Sequence, residues 1–267
     1  EYRFLKDIAA LDSVDSVYVE TVFTVPEDQE QDYENANALA MVGADSSPYT
    51  GDGQVIAIID SGVDVEHAAF QGAVSTDAFT EAKLSDLAGQ LNAGSGALTA
   101  AELRVDDKFP FAYDYADRDT NAIPGPETGL DHGTHVAGIA AANSGDTIRG
   151  VAPDAQVVAM KVFDDLLGQG RESNIIAAVE DAVTLGVDVI NMSLGSDAGF
   201  STSTEEQFQK IYDSVKSHGV ILNVAAGNAY SSALGNEAGN NLPAVTNPDS
   251  SMLAPQRRKI PLWRWPV

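Results

Sequence analysis

One continuous apolar run, residues 54–60 (QVIAIID), constrains the fold of this chain more than any other feature. The run begins after the turn at residues 51–53 (GDG) and ends on the carboxylate of Asp60. Uninterrupted Val and Ile without polar alternation predict a strand that is buried on both faces, as in the centre of a parallel sheet. Because open α/β sheets bind ligands outside the carboxyl ends of their strands, we expect Asp60 to lie at a functional edge.

Further segments of the same kind alternate with helical patterns along the chain. Strands are expected at residues 155–162, 187–195 and 220–226, each buried, and helices at residues 174–185 and 203–219. Strands that alternate with helices indicate a mostly parallel sheet covered on both faces. The predicted fold class is therefore α/β, with three layers.

Charge and composition exclude several classes of function. Forty acidic residues against fifteen basic ones give a net charge of -25, which disfavours nucleic acid and anionic membranes as partners. The chain has no cysteine, so it forms no disulfide, and it has no apolar run long enough to span a membrane. Since the first residue is Glu1, we expect a chain trimmed from a longer, secreted precursor.

Residues 131–141 (DHGTHVAGIAA) predict a helix of small side chains that packs closely against the sheet and carries His132 in its first turn. The simplest alternative is that the two histidines only cap a buried helix. A metal site formed by His132, His135 and Asp131 is a further alternative. It is disfavoured because the zincin pattern, two histidines four residues apart with a glutamate between them, is absent.

Three polar residues are expected at the same sheet edge: Asp60, His132 and Asn228, which ends the strand at residues 220–226. An aspartate can orient an imidazole, the imidazole can deprotonate a hydroxyl, and an asparagine amide can donate to a developing oxyanion. This combination suits nucleophilic catalysis, but the residues themselves do not identify a nucleophile.

Four motifs resemble those of the subtilisin-like serine proteases, in the same order and at similar spacing, over residues 51–247. They are residues 55–64 (VIAIIDSGVD), 132–138 (HGTHVAG), 191–195 (NMSLG) and 225–228 (AAGN). Residues 109–117 (FPFAYDYAD) resemble the cell-envelope branch, the lactocepin and C5a-peptidase-like enzymes of Gram-positive bacteria. The resemblance implies a serine-type endopeptidase that acts on polypeptide substrates through an acyl-enzyme. It also implies a secreted or cell-envelope location in a Gram-positive bacterium.

The resemblance assigns a role to each matching position. Asp60 would orient His132, His132 would act as the general base, and Asn228 would donate to the oxyanion. The substrate backbone would bind along an edge formed by Ser193, Leu194 and Gly195, and along a second edge near Gly168. His67 and His135 would have structural roles, and His218 would be a surface residue at a helix end.

The family chemistry requires no cofactor, and the resemblance leaves room for a structural calcium ion. Residues 117–121 (DRDTN) have the alternating oxygen ligands of a calcium loop, but they lack the glycine and the terminal glutamate of an EF-hand. We prefer to interpret them as a solvated acidic loop.

The serine motif of the family, Gly-Thr-Ser-Met-Ala followed by a long helix, does not occur in the chain. Ser251 in residues 250–255 (SSMLAP) imitates it. It lies only 23 positions after Asn228, whereas about 65 separate these roles in subtilisin. Pro261 would also break the helix that should follow. We therefore expect this chain to lack its nucleophile and to be inactive, and a peptide-binding pseudoprotease is the alternative function.

The last residues differ in composition from the rest, because residues 252–267 hold both tryptophans and four of the fifteen basic residues. Our hypothesis is that a one-base deletion or a sequencing error shifted the reading frame near Met252 and truncated the normal C-terminal part. The expected organisation has four parts: a remnant of the chain's own inhibitory propeptide at 1–25, a linker at 26–50, a partial catalytic domain at 51–251 with an insertion at about 69–128, and the aberrant tail.

Overall fold

The computed structural model describes residues 8, 11, 13–14, 17, 22–24, 39–125, 131–145, 148–194 and 205–225. Its strands are β1 (Val22–Thr24), β2 (Val55–Asp60), β3 (Phe111–Asp114), β4 (Gln156–Lys161), β5 (Gln169–Arg171), β6 (Val189–Met192) and β7 (Ile221–Val224). Its helices are α1 (Glu81–Leu87), α2 (Ala100–Leu103), α3 (His132–Ala141), α4 (Glu172–Leu185) and α5 (Glu205–Ser217), with short 3-10 turns at Ala68–Phe70, Ala88–Gln90 and Ala93–Gly96. No helix in these ranges is both long enough and apolar enough to cross a membrane.

Five strands form one parallel sheet in the order β3-β4-β2-β6-β7. The continuous apolar run that predicted a central strand is β2, which lies between β4 and β6. In the register of β2 and β4, Asp60 lies opposite Lys161, so both strands end at the same level. The predicted parallel sheet and the predicted position of Asp60 at its carboxyl edge are confirmed.

Each central strand contributes to two hydrophobic cores because its alternate side chains point to opposite faces of the sheet. Ala57 and Ile59 of β2 belong to the core formed with α4, whereas Ile58 belongs to the core formed with α3. All three residues are at most 1% exposed. A strand buried on both faces and flanked by helices on each side gives the three layers that the sequence predicted.

The helices on the α4 side follow the sequence pattern with small shifts at their ends. Helix α4 begins two residues earlier than predicted, and it ends at Gly186, which adopts the left-handed conformation at φ 70°. Helix α5 buries Ile211, Tyr212 and Val215 on one face, as its spacing predicts. The predicted start of this helix at residue 203 lies outside the described residues.

Two strands differ from the expectation. The stretch predicted as an insertion supplies β3, a four-residue edge strand paired in parallel with β4. Its three apolar residues, 111–113, are too few to distinguish a strand from a loop by their pattern. Strand β7 is not buried as predicted, since Ile221 is 64% exposed and Asn223 is also exposed. Within the described residues β7 is the other edge of the sheet, so it lacks a neighbour on one side.

A buried carboxylate helps to fix the segment between β2 and α3 to the rest of the fold. Asp181 on α4 accepts hydrogen bonds from the backbone N–H groups of Asn92 and Ala93 at 2.7 and 2.9 Å and from the Tyr115 hydroxyl at 2.8 Å. Burial raises the pKa of Asp181, although these donors favour the carboxylate. The inserted turns are therefore part of the packed domain.

Candidate active site

Asp60 and His132 form a hydrogen-bonded pair at the carboxyl end of β2. The Asp60 side chain is 2% exposed, and its Oδ1 lies 2.7 Å from His132 Nδ1. The same oxygen accepts a hydrogen bond from the backbone N–H of Ser61 at 2.7 Å. Because a carboxylate only accepts, the proton of a neutral His132 ring lies on Nδ1 and the lone pair on Nε2. This tautomer is the one that a general base requires.

The first turn of α3 is held against the end of β2 and the loop that follows it by two hydrogen bonds and a close backbone approach. The backbone N–H of Gly133 donates to Ser61 Oγ at 3.0 Å, and the backbone N–H of Asp64 donates to Thr134 Oγ1 at 2.9 Å. A β-carbon at position 133 would lie 2.1 Å from the carbonyl oxygen of Gly62. Only glycine allows this close approach, so Gly133 lets the start of α3 bring His132 next to Asp60.

The rest of α3 packs through its small side chains, as the sequence predicts. Ala137 and Ala141 are fully buried against the sheet. His135 and Asp131 are both exposed. Among the described residues, neither these two side chains nor His132 belongs to a group of ligand atoms close enough to share one metal ion.

A strand is already paired with the second predicted substrate edge. Strand β5 pairs with β1 in antiparallel orientation, and Phe23 lies opposite Gly170. Gly168 lies in the turn before β5 with φ +62°, so this edge begins one residue later than the sequence suggested. Antiparallel pairing with an exposed strand edge is a common way to bind an extended peptide.

The first predicted substrate edge follows β6. Ser193 Oγ accepts a hydrogen bond from the Asn191 amide at 2.9 Å, and Leu194 is 1% exposed. Because β6 is the neighbour of β2, this segment leaves the sheet beside Asp60. Gly195 and Asn228 lie outside the described residues, as does Ser251, so their predicted roles stay predictions.

Sequence reasoning missed a buried cation in the strand next to Asp60. Lys161 ends β4, its side chain is 1% exposed, and its Nζ contacts the carboxylates of Asp114, Asp117 and Asp165. The calcium-loop pattern includes Asp117 of this group, but Asp119 is exposed and accepts a hydrogen bond from the backbone of Asn121 at 2.8 Å. The signal that could have identified Lys161 is its place at the end of β4. Once β4 is paired with β2, that place lies next to Asp60.

The remaining histidines have the local roles expected of them. His67 is exposed, and its Nδ1 accepts a hydrogen bond from the backbone N–H of Ala69 at 3.1 Å, which caps a 3-10 turn. His218 is exposed one residue after α5 ends. Its Nδ1 lies 2.8 Å from the carbonyl oxygen of Ser214.

Comparison with protein families gives a match over residues 51–255 to the subtilase family, Peptidase S8. The chain belongs to this family. Subtilases are serine endopeptidases, and the predicted site residues Asp60 and His132 both lie within the matched range.

Several relatives are proteinases of Gram-positive bacteria. This subtilase is 35% identical to the PI-type proteinase of Lactococcus lactis subsp. cremoris over 215 residues, covering 77% of the chain and 11% of that protein. It is 33% identical to the C5a peptidase of Streptococcus pyogenes serotype M6 over 207 residues, covering 74% of the chain and 16% of that protein. A solved structure, Sphericase, aligns with a TM-score of 0.46 and 27% identity over 72% of this chain and 52% of that one.

These relatives confirm the resemblance to the lactocepin and C5a-peptidase branch. The chain spans only a small part of their length, about a tenth to a sixth.

Proposed function

We propose that this chain carries the general-base half of a subtilisin-like endopeptidase site and has no serine nucleophile of its own. The observation that carries the proposal is the 2.7 Å contact between His132 Nδ1 and the buried Asp60 carboxylate. With Nδ1–H donated to Asp60, Nε2 can take the proton of an attacking hydroxyl. The buried carboxylate then stabilises the imidazolium that forms.

Two serine hydroxyls in the described segments that follow β2 and β6 have structural partners. Ser61 Oγ accepts from the Gly133 backbone, and Ser193 Oγ accepts from the Asn191 amide. The family's serine motif is absent from all 267 residues. A triad without its serine keeps only a small residual rate enhancement, so we expect the chain to be proteolytically inactive.

A fluorophosphonate probe tests this proposal, because it labels only a serine that a neighbouring base has activated. We expect no labelling of the 267-residue chain, while an intact subtilase labels under the same conditions. Labelling that disappears in His132→Ala would show that the chain does contain an activated serine and would refute the proposal. Sequencing the gene across the codons for Met252 and Leu253 tests the reading-frame hypothesis, and a confirmed frame that continues into a serine motif would contradict it.

For the organisation of the chain, we propose a propeptide remnant at residues 1–25, a linker at 26–50 and a partial catalytic domain at 51–251. The pairing of β1 with β5 supports the first assignment, since it places residues 22–24 on the predicted substrate edge. The propeptide is then an intramolecular partner that occupies the peptide site. Residues 252–267 remain the proposed aberrant tail.

A peptide-binding pseudoprotease is the second candidate, and the β1–β5 pairing favours it because β5 already accepts a strand. A fluorescent peptide with the sequence of residues 18–25 should bind this edge by displacing residues 22–24, and its anisotropy should then rise. Gly170→Val should weaken binding, because even a β-carbon at this position would lie 2.9 Å from the Phe163 ring. Gly89→Ala is the control, because a β-carbon at Gly89 would meet nothing within 4 Å. Equal binding by both variants would contradict a site at β5.

We further propose polypeptide substrates and a secreted or cell-envelope location. The proteinases of Lactococcus and Streptococcus among the relatives support both, and the net charge of -25 suits a protein that binds neither nucleic acid nor anionic lipid. The chemistry uses no cofactor. For structural calcium, Asp114, Asp117 and Asp165 offer carboxylate oxygens within 4.8 Å of one another, but the ammonium of Lys161 lies among them. This group therefore fits a calcium ion poorly while the lysine is charged.

A further inference from the structure

Lys161 connects the loops that follow β3 and β4, at the sheet edge where the Asp60–His132 pair lies. In the sheet register it lies opposite Asp60 on one side and opposite Asp114 on the other. Its Nζ forms a short ion pair with Asp114 and lies 2.9 Å from Asp165 Oδ1 and 3.4 Å from Asp117 Oδ2. One buried ammonium therefore holds the loop after β3 and the loop after β4 at the edge where Asp60 lies.

Hydrogen bonds extend this cluster to the segment that leads into α3. The backbone N–H of Asp165 donates to Asp117 Oδ2 at 2.9 Å, and the backbone N–H of Gly125 donates to Asp165 Oδ1 at 2.9 Å. Three residues earlier, the carbonyl of Ala122 accepts from the backbone N–H of Val63 at 2.8 Å. The carboxylates that surround Lys161 thus also fix the loop that follows Asp60.

The aliphatic part of Lys161 is in direct packing contact with this loop. A β-carbon at Gly62 would lie 2.9 Å from Lys161 Cδ, and a β-carbon at Gly133 would lie 2.1 Å from the Gly62 carbonyl oxygen. Lys161, Gly62 and Gly133 therefore stack without space between them. Gly62 is two residues after Asp60, and Gly133 is the residue after His132. The side chain of Lys161 therefore packs against the loop that follows Asp60, and this loop packs against the start of α3.

Lys161 offsets part of the negative charge of the cluster. Burial on its own lowers the pKa of Lys161, but its hydrogen bonds to Asp114 and Asp165 outweigh burial and raise that pKa above its ordinary value. Lys161 is therefore a permanent cation at neutral pH. Hard divalent cations prefer the same carboxylate oxygens, so the ammonium and a calcium ion would compete for one position.

We propose that Lys161 is a positioning residue for the Asp60–His132 pair, with its ammonium holding the surrounding loops as a bound metal ion would. The inference rests on the proposed catalytic role of that pair. Without the ammonium, Asp114, Asp117 and Asp165 would lose the cation that they share, and Asp114, whose pKa burial already raises to about 6, would take up a proton. The loops would then separate, and Asp60 would lose its fixed position beside His132.

The test measures which nitrogen of the His132 ring carries the proton, from 15N shifts of the 15N-histidine-labelled chain. We expect Lys161→Met to move the proton of the neutral ring from Nδ1 toward Nε2, and Lys161→Arg, which keeps the charge, to leave it largely on Nδ1. Calcium chloride at millimolar concentration should restore the Nδ1–H form in Lys161→Met, because it replaces the missing cation. It should have no effect on the unmodified chain.

A matched control separates positioning from a general loss of stability. Lys108 is a second buried lysine in the described part of the chain, 2% exposed, and its Nζ donates to the carbonyls of Pro153 and Ala155 near the opposite end of β4. Lys108→Met should lower the unfolding midpoint without changing the His132 tautomer. If Lys161→Met behaves in the same way, Lys161 only stabilises the fold and the proposal is overturned.

A milder variant applies if Lys161→Met does not fold. In Asp165→Asn the amide oxygen can still accept from Gly125, so the change weakens mainly the ion pair with Lys161. A folded Asp165→Asn chain with a partial shift toward Nε2–H supports the proposal, and an unchanged tautomer overturns it. If the His132 ring of the unmodified chain does not carry its proton on Nδ1, the proposed function and this inference fail together. If it does, and these variants leave that proton in place, only this inference is refuted.

Discussion

The most direct structural prediction concerns Gly133, the residue that allows α3 to approach β2. In Gly133→Ala the new methyl group would lie 2.1 Å from the Gly62 carbonyl oxygen and 3.0 Å from Asp60 Cβ. A carbon–oxygen contact needs about 3.3 Å, so the helix start or the loop must move by about 1 Å. The facing oxygen belongs to the backbone and cannot rotate away. A shift of that size would lengthen the 2.7 Å bond between Asp60 and His132 beyond hydrogen-bonding distance.

The expected cost follows from two opposing effects. Overpacking a tight contact costs about 1–3 kcal/mol, and replacing a helical glycine by alanine gains about 0.5–1 kcal/mol. Since backbone atoms form the contact, we expect a net loss of about 2 kcal/mol in the free energy of unfolding. Gly138→Ala in the same helix is the control, because its β-carbon would meet nothing within 4 Å. It should gain the helix-propensity term alone.

Urea unfolding of both variants measures the free energies, and 15N shifts of the His132 ring report whether Nδ1 still carries the proton. We expect Gly133→Ala to lose stability and to shift toward the Nε2–H form, with Gly138→Ala unchanged in tautomer. Equal stabilities for the two variants, together with an unchanged His132 ring, would refute the argument that glycine at position 133 positions the base.

Three further predictions test the site and the core. Asp60→Asn should place the proton of the neutral His132 ring on Nε2, because an amide can donate to Nδ1; ring 15N shifts that still report Nδ1–H would contradict the assigned role. Tyr115→Phe removes a buried 2.8 Å hydrogen bond to Asp181 and should cost about 1.5–3 kcal/mol in urea unfolding; a cost near zero would show that this bond does not anchor the inserted turns. Burial lowers the pKa of Lys108 to about 8. The unfolded chain keeps that proton up to about pH 10.4, so the free energy of unfolding should rise over this interval by at most about 3 kcal/mol. Lys108→Met should lose this rise, and identical pH profiles would contradict the assignment.

The sequence by itself determined the layers of the fold and the position of Asp60 at the end of a central strand. A strand of Val and Ile without polar alternation has apolar side chains on both faces, and both faces must be buried. β2 therefore had to be an inner strand, with Asp60 at its end. The small residues of α3 likewise predicted a helix packed closely against the sheet. These properties are local, because they depend on side-chain size and periodicity within one segment.

The tertiary structure decided what meets at that edge. Lys161 and Asp114 are far apart in sequence, and only the parallel register of β3, β4 and β2 brings them beside Asp60. The pairing of residues 22–24 with β5 also depends on a contact between segments that are far apart in sequence. The exposure of β7 depends on its place at the edge in the order of strands. Apolar periodicity records which face of a segment is buried, but it does not record which neighbour buries it. For that reason the sequence predicted the general base and its aspartate, whereas the ammonium and the edge strands became visible only in the folded chain.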